Sequence, residues 1–142
     1  MKVFEIMTKE VISLSADDTA EHAARLMHEH NIGSIPVNTK EKVIGIVTDR
    51  DIILRCIAKG IDIKSQKVRD IMTSNPVVVD ENINVEDATR IMSERQIRRL
   101  PITSSNQLIG IVTLGDLALE PNLRKDATEA LSEISIPCTH NI

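Results

Sequence analysis

Two short stretches pair a hydroxyl with a carboxylate at the same spacing. Residues 45–51 read GIVTDRD and residues 110–116 read GIVTLGD. In each, a β-branched run leads to a threonine, Thr48 or Thr113, and an aspartate follows three residues later, Asp51 or Asp116. Two readings fit that spacing. A threonine at a helix N-cap with an acidic residue at N3 is a capping box, stabilising by about 1 kcal/mol and binding nothing. The same carboxylate can accept the two hydroxyls of a vicinal diol such as ribose, and the amides of a helix start suit a phosphate. Gly45 and Gly110, inside the strands, let another backbone or a ligand approach closely. Ile12, Ile46 or Val77 could wall a planar ring. Duplication does not choose between the readings, because a cap is copied as readily as a site.

Other chemistry is thinly represented. No G-x-S-x-G, H-E-x-x-H, Walker-type loop or C-x-x-C occurs, so a self-contained enzyme is not expected. His28 and His30 are two apart on a helical pattern and point in different directions, as does His22. Cys138 and His140 form one pair in the tail. A metal site is not expected from them, and Cys56 reads as a core residue. Arg95, Arg98 and Arg99 cluster before a strand. They read either as a solvated edge or as an anion-binding group.

The elements that position these residues come from a duplication. Laying residues 5–54 over 70–119 needs no gap and leaves seventeen of fifty positions identical, among them IMT (6–8 and 71–73), Pro36/Pro101 and IGIVT (44–48 and 109–113). Each copy opens with a short β-branched run, Val11–Leu14 or Val77–Val79. An apolar stripe at helical spacing follows: Ala20, Ala23, Ala24 and Met27, or Val85, Ala88 and Met92. Asp18 or Thr19, and Asn84, suit the N-caps. Strands are expected at Ser34–Val37 and Arg99–Ile102, with prolines that suggest an edge or a strand end, and again at Val43–Val47 and Leu108–Val112. A helix then runs from Thr48 to a C′ glycine at Gly60, and its counterpart runs from Thr113 to before Pro121. The unit is β-α-β-β-α. Half the chain cannot bury its own faces, so the copies should pack together. Asp126 and Glu129 resemble a capping box for a further helix.

The duplicated unit, closed each time by G-h-h-T-x-x-D, resembles the CBS domain (named for cystathionine β-synthase) in its tandem form. TDRDI (48–52), QIRRLPI (96–102) and LGDLALE resemble the stand-alone CBS-pair proteins of bacteria. The resemblance implies an α+β fold of two repeats, 1–62 and 63–120, related by a pseudo-twofold, with a C-terminal helix in a tail at 121–142. It implies regulatory binding of an adenosine-containing ligand (AMP, ADP, ATP, S-adenosylmethionine or NAD) in clefts between the repeats, with no required cofactor. By resemblance Asp51 and Asp116 hold ribose hydroxyls, and Thr48 and Thr113 contact ribose or phosphate. Thr8, Ile12 and Ser34 in the first copy, and Thr73 and Val77 in the second, line the base pocket. Arg98 and Arg99 reach phosphates. The first copy has Gly33 and Ser34 in their place, so only one cleft is equipped for a polyphosphate.

Composition narrows the partners. A net charge of −4 with aromatics at 1% gives no basis for nucleic-acid binding. The longest apolar runs are too short to span a bilayer. Two cysteines and an N-terminus without an apolar leader segment point to the cytoplasm. The leading reading is a ligand sensor acting through a homodimer or an effector protein. The alternatives are an interaction scaffold with vestigial clefts and a thiol- or metal-responsive protein.

Overall fold

The computed structural model describes residues 1–40 and 42–137. They fall into two compact units, one of Ile12–Pro76 and one of Met1–Val11 with the chain from Val77 onward.

In the Ile12–Pro76 unit the order is β1 (Leu14–Ser15), α1 (Ala20–His30), β2 (Ser34–Thr39), β3 (Lys42–Thr48), α2 (Asp49–Ile52) and β4 (Thr73–Ser74). The Thr19 hydroxyl accepts the His22 amide to start α1, and Asn31 ends it in the left-handed region at φ 52°. Its apolar stripe buries Ala20, Ala23 and Met27 against Leu14, Ile35, Val37 and Val47. Each large side chain so buried contributes roughly 1.5–3 kcal/mol. The strands lie in the order β1-β2-β3-β4. The second helix differs from expectation. After α2 the backbone widens into a π-helical stretch, Ile53–Ile57, closed by bonds such as Ala58 N to Ile53 O. Gly60 takes φ 71° beyond it, the conformation that glycine adopts without strain.

The other unit repeats the plan with β5 (Val79–Asp80), α3 (Val85–Arg95), β6 (Arg99–Ser104), β7 (Gln107–Thr113), α4 (Leu114–Leu119) and α5 (Arg124–Ile134). Its strands lie in the order β5-β6-β7. Val85, Ala88, Met92, Leu100, Ile102 and Val112 make the core. Phe4, the single aromatic, is exposed. Both described cores are therefore aliphatic.

Pro36 and Pro101 lie in inner strands, β2 and β6, rather than in edge strands. They are tolerated because β1 pairs only with Val37 and Asn38, and β5 only with Ile102 and Thr103. At the prolines that flank of the strand has no ladder, so a missing amide costs no bond.

The packing units are not the sequence repeats. Thr8, written in the first copy, bridges Ile111 of the second through backbone bonds of 2.9 and 3.0 Å. Thr73, written in the second copy, pairs with Ile46 of the first. Val3 and Val68, in equivalent 3-10 turns, are both fully buried in the opposite copy's core. Each IMT head thus belongs to the other copy's body.

Gly45 and Gly110 show why both motifs are duplicated. A Cβ on Gly45 would lie 2.3 Å from Met72 Sδ and 2.9 Å from the Thr73 carbonyl oxygen. On Gly110 it would lie 2.4 Å from Met7 Sδ and 3.0 Å from the Thr8 carbonyl oxygen. The close approach that these glycines permit is to the IMT head, not to a ligand.

The tail helix α5 starts after a 3-10 turn, Pro121–Leu123, that buries Leu123. Its N-cap is Leu123, so Asp126 already lies inside the helix and no Asp126–Glu129 capping box forms. Ala127 and Ala130 are buried as α5 packs on α3 and α4. Gln96, the left-handed C-cap of α3, donates to the Glu133 and Ile136 carbonyls at 3.0 Å each.

Candidate functional site: capping boxes and an arginine-lined cleft

Both Thr/Asp pairs form reciprocal capping boxes. The Thr113 amide donates to Asp116 Oδ2 at 2.8 Å, and the Asp116 amide donates to Thr113 Oγ1 at 3.1 Å. Thr48 and Asp51 do the same at 2.9 and 3.0 Å. The bland reading of the motif is therefore present in the structure, and it leaves one carboxylate oxygen of each aspartate outside the cap. The helix starts offer few free amides. Leu114 N already donates to Arg98 O and Asp49 N to Gly33 O.

The two free oxygens differ in surroundings. Asp51 is 8% exposed, and its Oδ1 lies 3.7 Å from an Arg55 guanidinium nitrogen. Arg55 also donates to the Ile71 and Met72 carbonyls. In the second copy the residue equivalent to Arg55 is Glu120, and Asp116 Oδ1 has no partner among the described residues.

The neighbouring positions sharpen the contrast. Arg99 is the cross-strand partner of Thr113, and Ser34 is the partner of Thr48. Gly33 takes the place of Arg98, and Asp49 the place of Leu114. Asp49 Oδ2 lies 3.0 Å from where a Gly33 Cβ would be. One unit thus carries two arginines beside its capping box, and the other carries a carboxylate there.

Beside Arg98, Arg99 and Thr113 lies an open cleft of about 570 Å³, whose far wall is α5, contributing Arg124, Thr128 and Leu131. Three arginines and no carboxylate line it. Among the described residues none of the three arginines has an ion-pair partner, whereas Arg25, Arg55, Arg69 and Arg90 do. Like charges held together without counter-ions favour an anionic occupant. Sequence reading missed Arg124 and Thr128. Their only sequence signal was a basic residue opening a helix after Pro121, and the docking of α5 is what brings them to the cleft.

The remaining candidates fall as follows. Thr8 and Val77 belong to the same unit as Thr113, Asp116, Arg98 and Arg99, while Ile12, Ser34 and Thr73 belong to that of Thr48 and Asp51. Ile12 and Val77 pack partly buried on their own cores. Cys56 is fully buried in the Ile12–Pro76 core. His22, His28 and His30 are exposed on α1. Among the described residues no group of three or more His, Cys, Asp or Glu could hold a metal. Cys138 and His140 lie outside the described residues. No described helix is long and apolar enough to cross a membrane.

Duplicated α+β units with a Thr/Asp capping box after the third strand define a tandem α+β module. The CBS domain family model matches twice, at residues 3–57 and 68–121, and the chain belongs to the CBS domain family. It is 43% identical over 133 residues to the CBS domain-containing protein YhcV of Bacillus subtilis, covering 94% of each chain. Among solved structures it resembles Hypoxic Response Protein I, a structure with two coordinated zinc ions, at TM-score 0.76 and 32% identity, covering 83% of this chain and 97% of that one. It also resembles a conserved CBS domain protein of Thermoplasma acidophilum at TM-score 0.79 and 25% identity, covering 94% and 75%. The family is commonly regulatory and ligand-binding, and no catalytic family is indicated.

Proposed function

We propose that the chain is a regulatory CBS pair that binds a phosphate-bearing adenosine ligand (AMP, ADP or ATP) beside the Thr113–Asp116 capping box. The observation that carries this reading is the asymmetry of the repeats. Arg98 and Arg99 flank one capping box, while Gly33, Ser34 and Asp49 flank the other. Asp116 offers its free oxygen to a ribose hydroxyl, and the arginines take phosphate oxygens through charge-assisted bonds. S-adenosylmethionine, cationic at its sulfonium, is disfavoured by the same arginines, and NAD brings only a bridging diphosphate. Thr48 and Asp51, with Oδ1 of Asp51 already near Arg55, serve a nucleoside, a monophosphate or nothing. Ile12, Ser34 and Thr73, and in the other unit Thr8 and Val77, are assigned to the adenine ring.

The ligand state is read out through a homodimer or by an effector protein. The exposed apolar side chains of Ile53, Leu54 and Ile57, close together in the Ile12–Pro76 unit, support an assembly surface. The test is isothermal titration with adenosine, AMP, ATP, S-adenosylmethionine and NAD. One polyphosphate site per chain is expected, with ATP tighter than adenosine. At about 100 Kd the ligand stabilises by about 2.7 kcal/mol, raising Tm by several degrees. Two equal ATP sites would refute the asymmetry. Binding that survives both Asp51→Ala and Asp116→Ala would refute the residue assignment, and no binding at all would favour the scaffold reading.

A further inference from the structure

We infer that the C-terminal helix α5 is a wall of the anion site, with Arg124 completing a three-arginine cradle for a phosphate chain. This rests on the reading of the Thr113 cleft as a nucleotide site and goes beyond it, because no residue of α5 belongs to either CBS repeat.

Three observations on different elements converge. The cleft is bounded by the start of β6, the end of β7 and α4 on one side and by the first two turns of α5 on the other. Arg124 lines the same cleft as Arg98 and Arg99, and no carboxylate among the described residues forms an ion pair with any of them. Thr128, one turn on, lines the same wall, its hydroxyl turned back to the Arg124 carbonyl at 2.9 Å. The helix is also tied at its far end to the C-cap of α3, just before the segment that carries the other two arginines. Gln96, two residues before Arg98, bonds the Glu133 and Ile136 carbonyls.

Without ligand, three guanidinium groups around one cleft repel one another, and the repulsion tends to lift α5. A bound di- or triphosphate reverses its sign. The charge of the ligand therefore sets how firmly α5 is held, and α5 becomes the element whose position reports occupancy. Adenosine, lacking phosphates, has no such effect.

The experiment compares ATP and adenosine titrations of the wild type, Arg124→Ala and Arg124→Lys, with hydrogen exchange at residues 124–134 read with and without each ligand. Arg124 is exposed, so its replacement leaves the core intact. The expected result is a loss of about tenfold or more in ATP affinity for Arg124→Ala, the size of one charge-assisted hydrogen bond. Partial recovery is expected in Arg124→Lys, with unchanged adenosine affinity throughout. ATP, but not adenosine, should slow exchange in α5. If Arg124→Ala binds ATP as the wild type does, or if α5 exchange ignores ATP, the role of α5 is overturned while the nucleotide site stands. If the wild type binds neither ligand, the nucleotide reading fails and this one with it.

Discussion

Replacing Gly110 by alanine tests the exchange of heads between the copies. The added Cβ would lie 2.4 Å from Met7 Sδ, 2.9 Å from Met7 Cγ and 3.0 Å from the Thr8 carbonyl oxygen. The sulfur can swing aside. The Cγ moves only with a change of χ1, and the carbonyl only with the backbone of residue 8, which the Thr8–Ile111 bonds hold. Overpacking of this kind costs about 1–3 kcal/mol, against a gain of about 0.4–1 kcal/mol from a stiffer unfolded chain. The expected net loss is about 1–2 kcal/mol, or roughly 4–8 °C in Tm at this length. Urea denaturation of a double-mutant cycle isolates the cause. In a Met7→Ala background the Gly110→Ala cost should fall by about half, because two of the three close contacts are gone. Met72→Ala should leave it unchanged, since Met72 packs on Gly45. If Gly110 couples to Met72 instead of Met7, or if Gly110→Ala costs nothing, the packing described for the heads is wrong.

Two further outcomes are expected. Thr113→Ala removes the acceptor of the Asp116 amide and should destabilise by about 1 kcal/mol in thermal unfolding. It should also weaken nucleotide binding, whereas Thr48→Ala should cost similar stability and leave ATP affinity intact. Asp17 has its carboxyl held below the ordinary value of 3.8, first by hydrogen bonds from Lys67 and Arg69 and then by their charges. A depressed folded-state value contributes stability above the unfolded value that is lost as pH falls through the folded one. The urea midpoint should therefore drop less between about pH 4 and about pH 2 in Asp17→Asn than in the wild type. The effect is small because Asp17 is exposed, and an identical acid slope in both proteins would remove Asp17 from the account.

Much of the fold is legible because its signals are local. Thr19 caps α1 through its hydroxyl, Asn84 takes the N-cap position of α3 without a side-chain bond, and the stripes Ala20–Met27 and Val85–Met92 bury the faces they predict. The duplication exposes the difference between Arg98–Arg99 and Gly33–Ser34, since aligned positions occupy equivalent register opposite Thr113 and Thr48. Pro36 is harder to read. Its place in an inner strand depends on where β1 stops, a fact about a neighbour rather than about the proline. The Asp126–Glu129 pattern misleads because the turn at Pro121–Leu123 begins the helix earlier, and a cap pattern inside a helix is only a pair of acids.

By itself the sequence determined the repeat, its element order, an aliphatic core and the two Thr/Asp pairs. Each of these follows from neighbours in the chain or from comparison at one constant offset. Only the tertiary structure decided which IMT head meets which glycine, because an exchanged head and an unexchanged one satisfy the same local pattern. It likewise decided that Arg55 stands by Asp51 while Asp116 Oδ1 has no partner among the described residues, and that Arg124 lines one cleft with Arg98 and Arg99. The physical reason is common to all three: charge and packing act through space, over distances of a few ångströms that the chain spans only after folding.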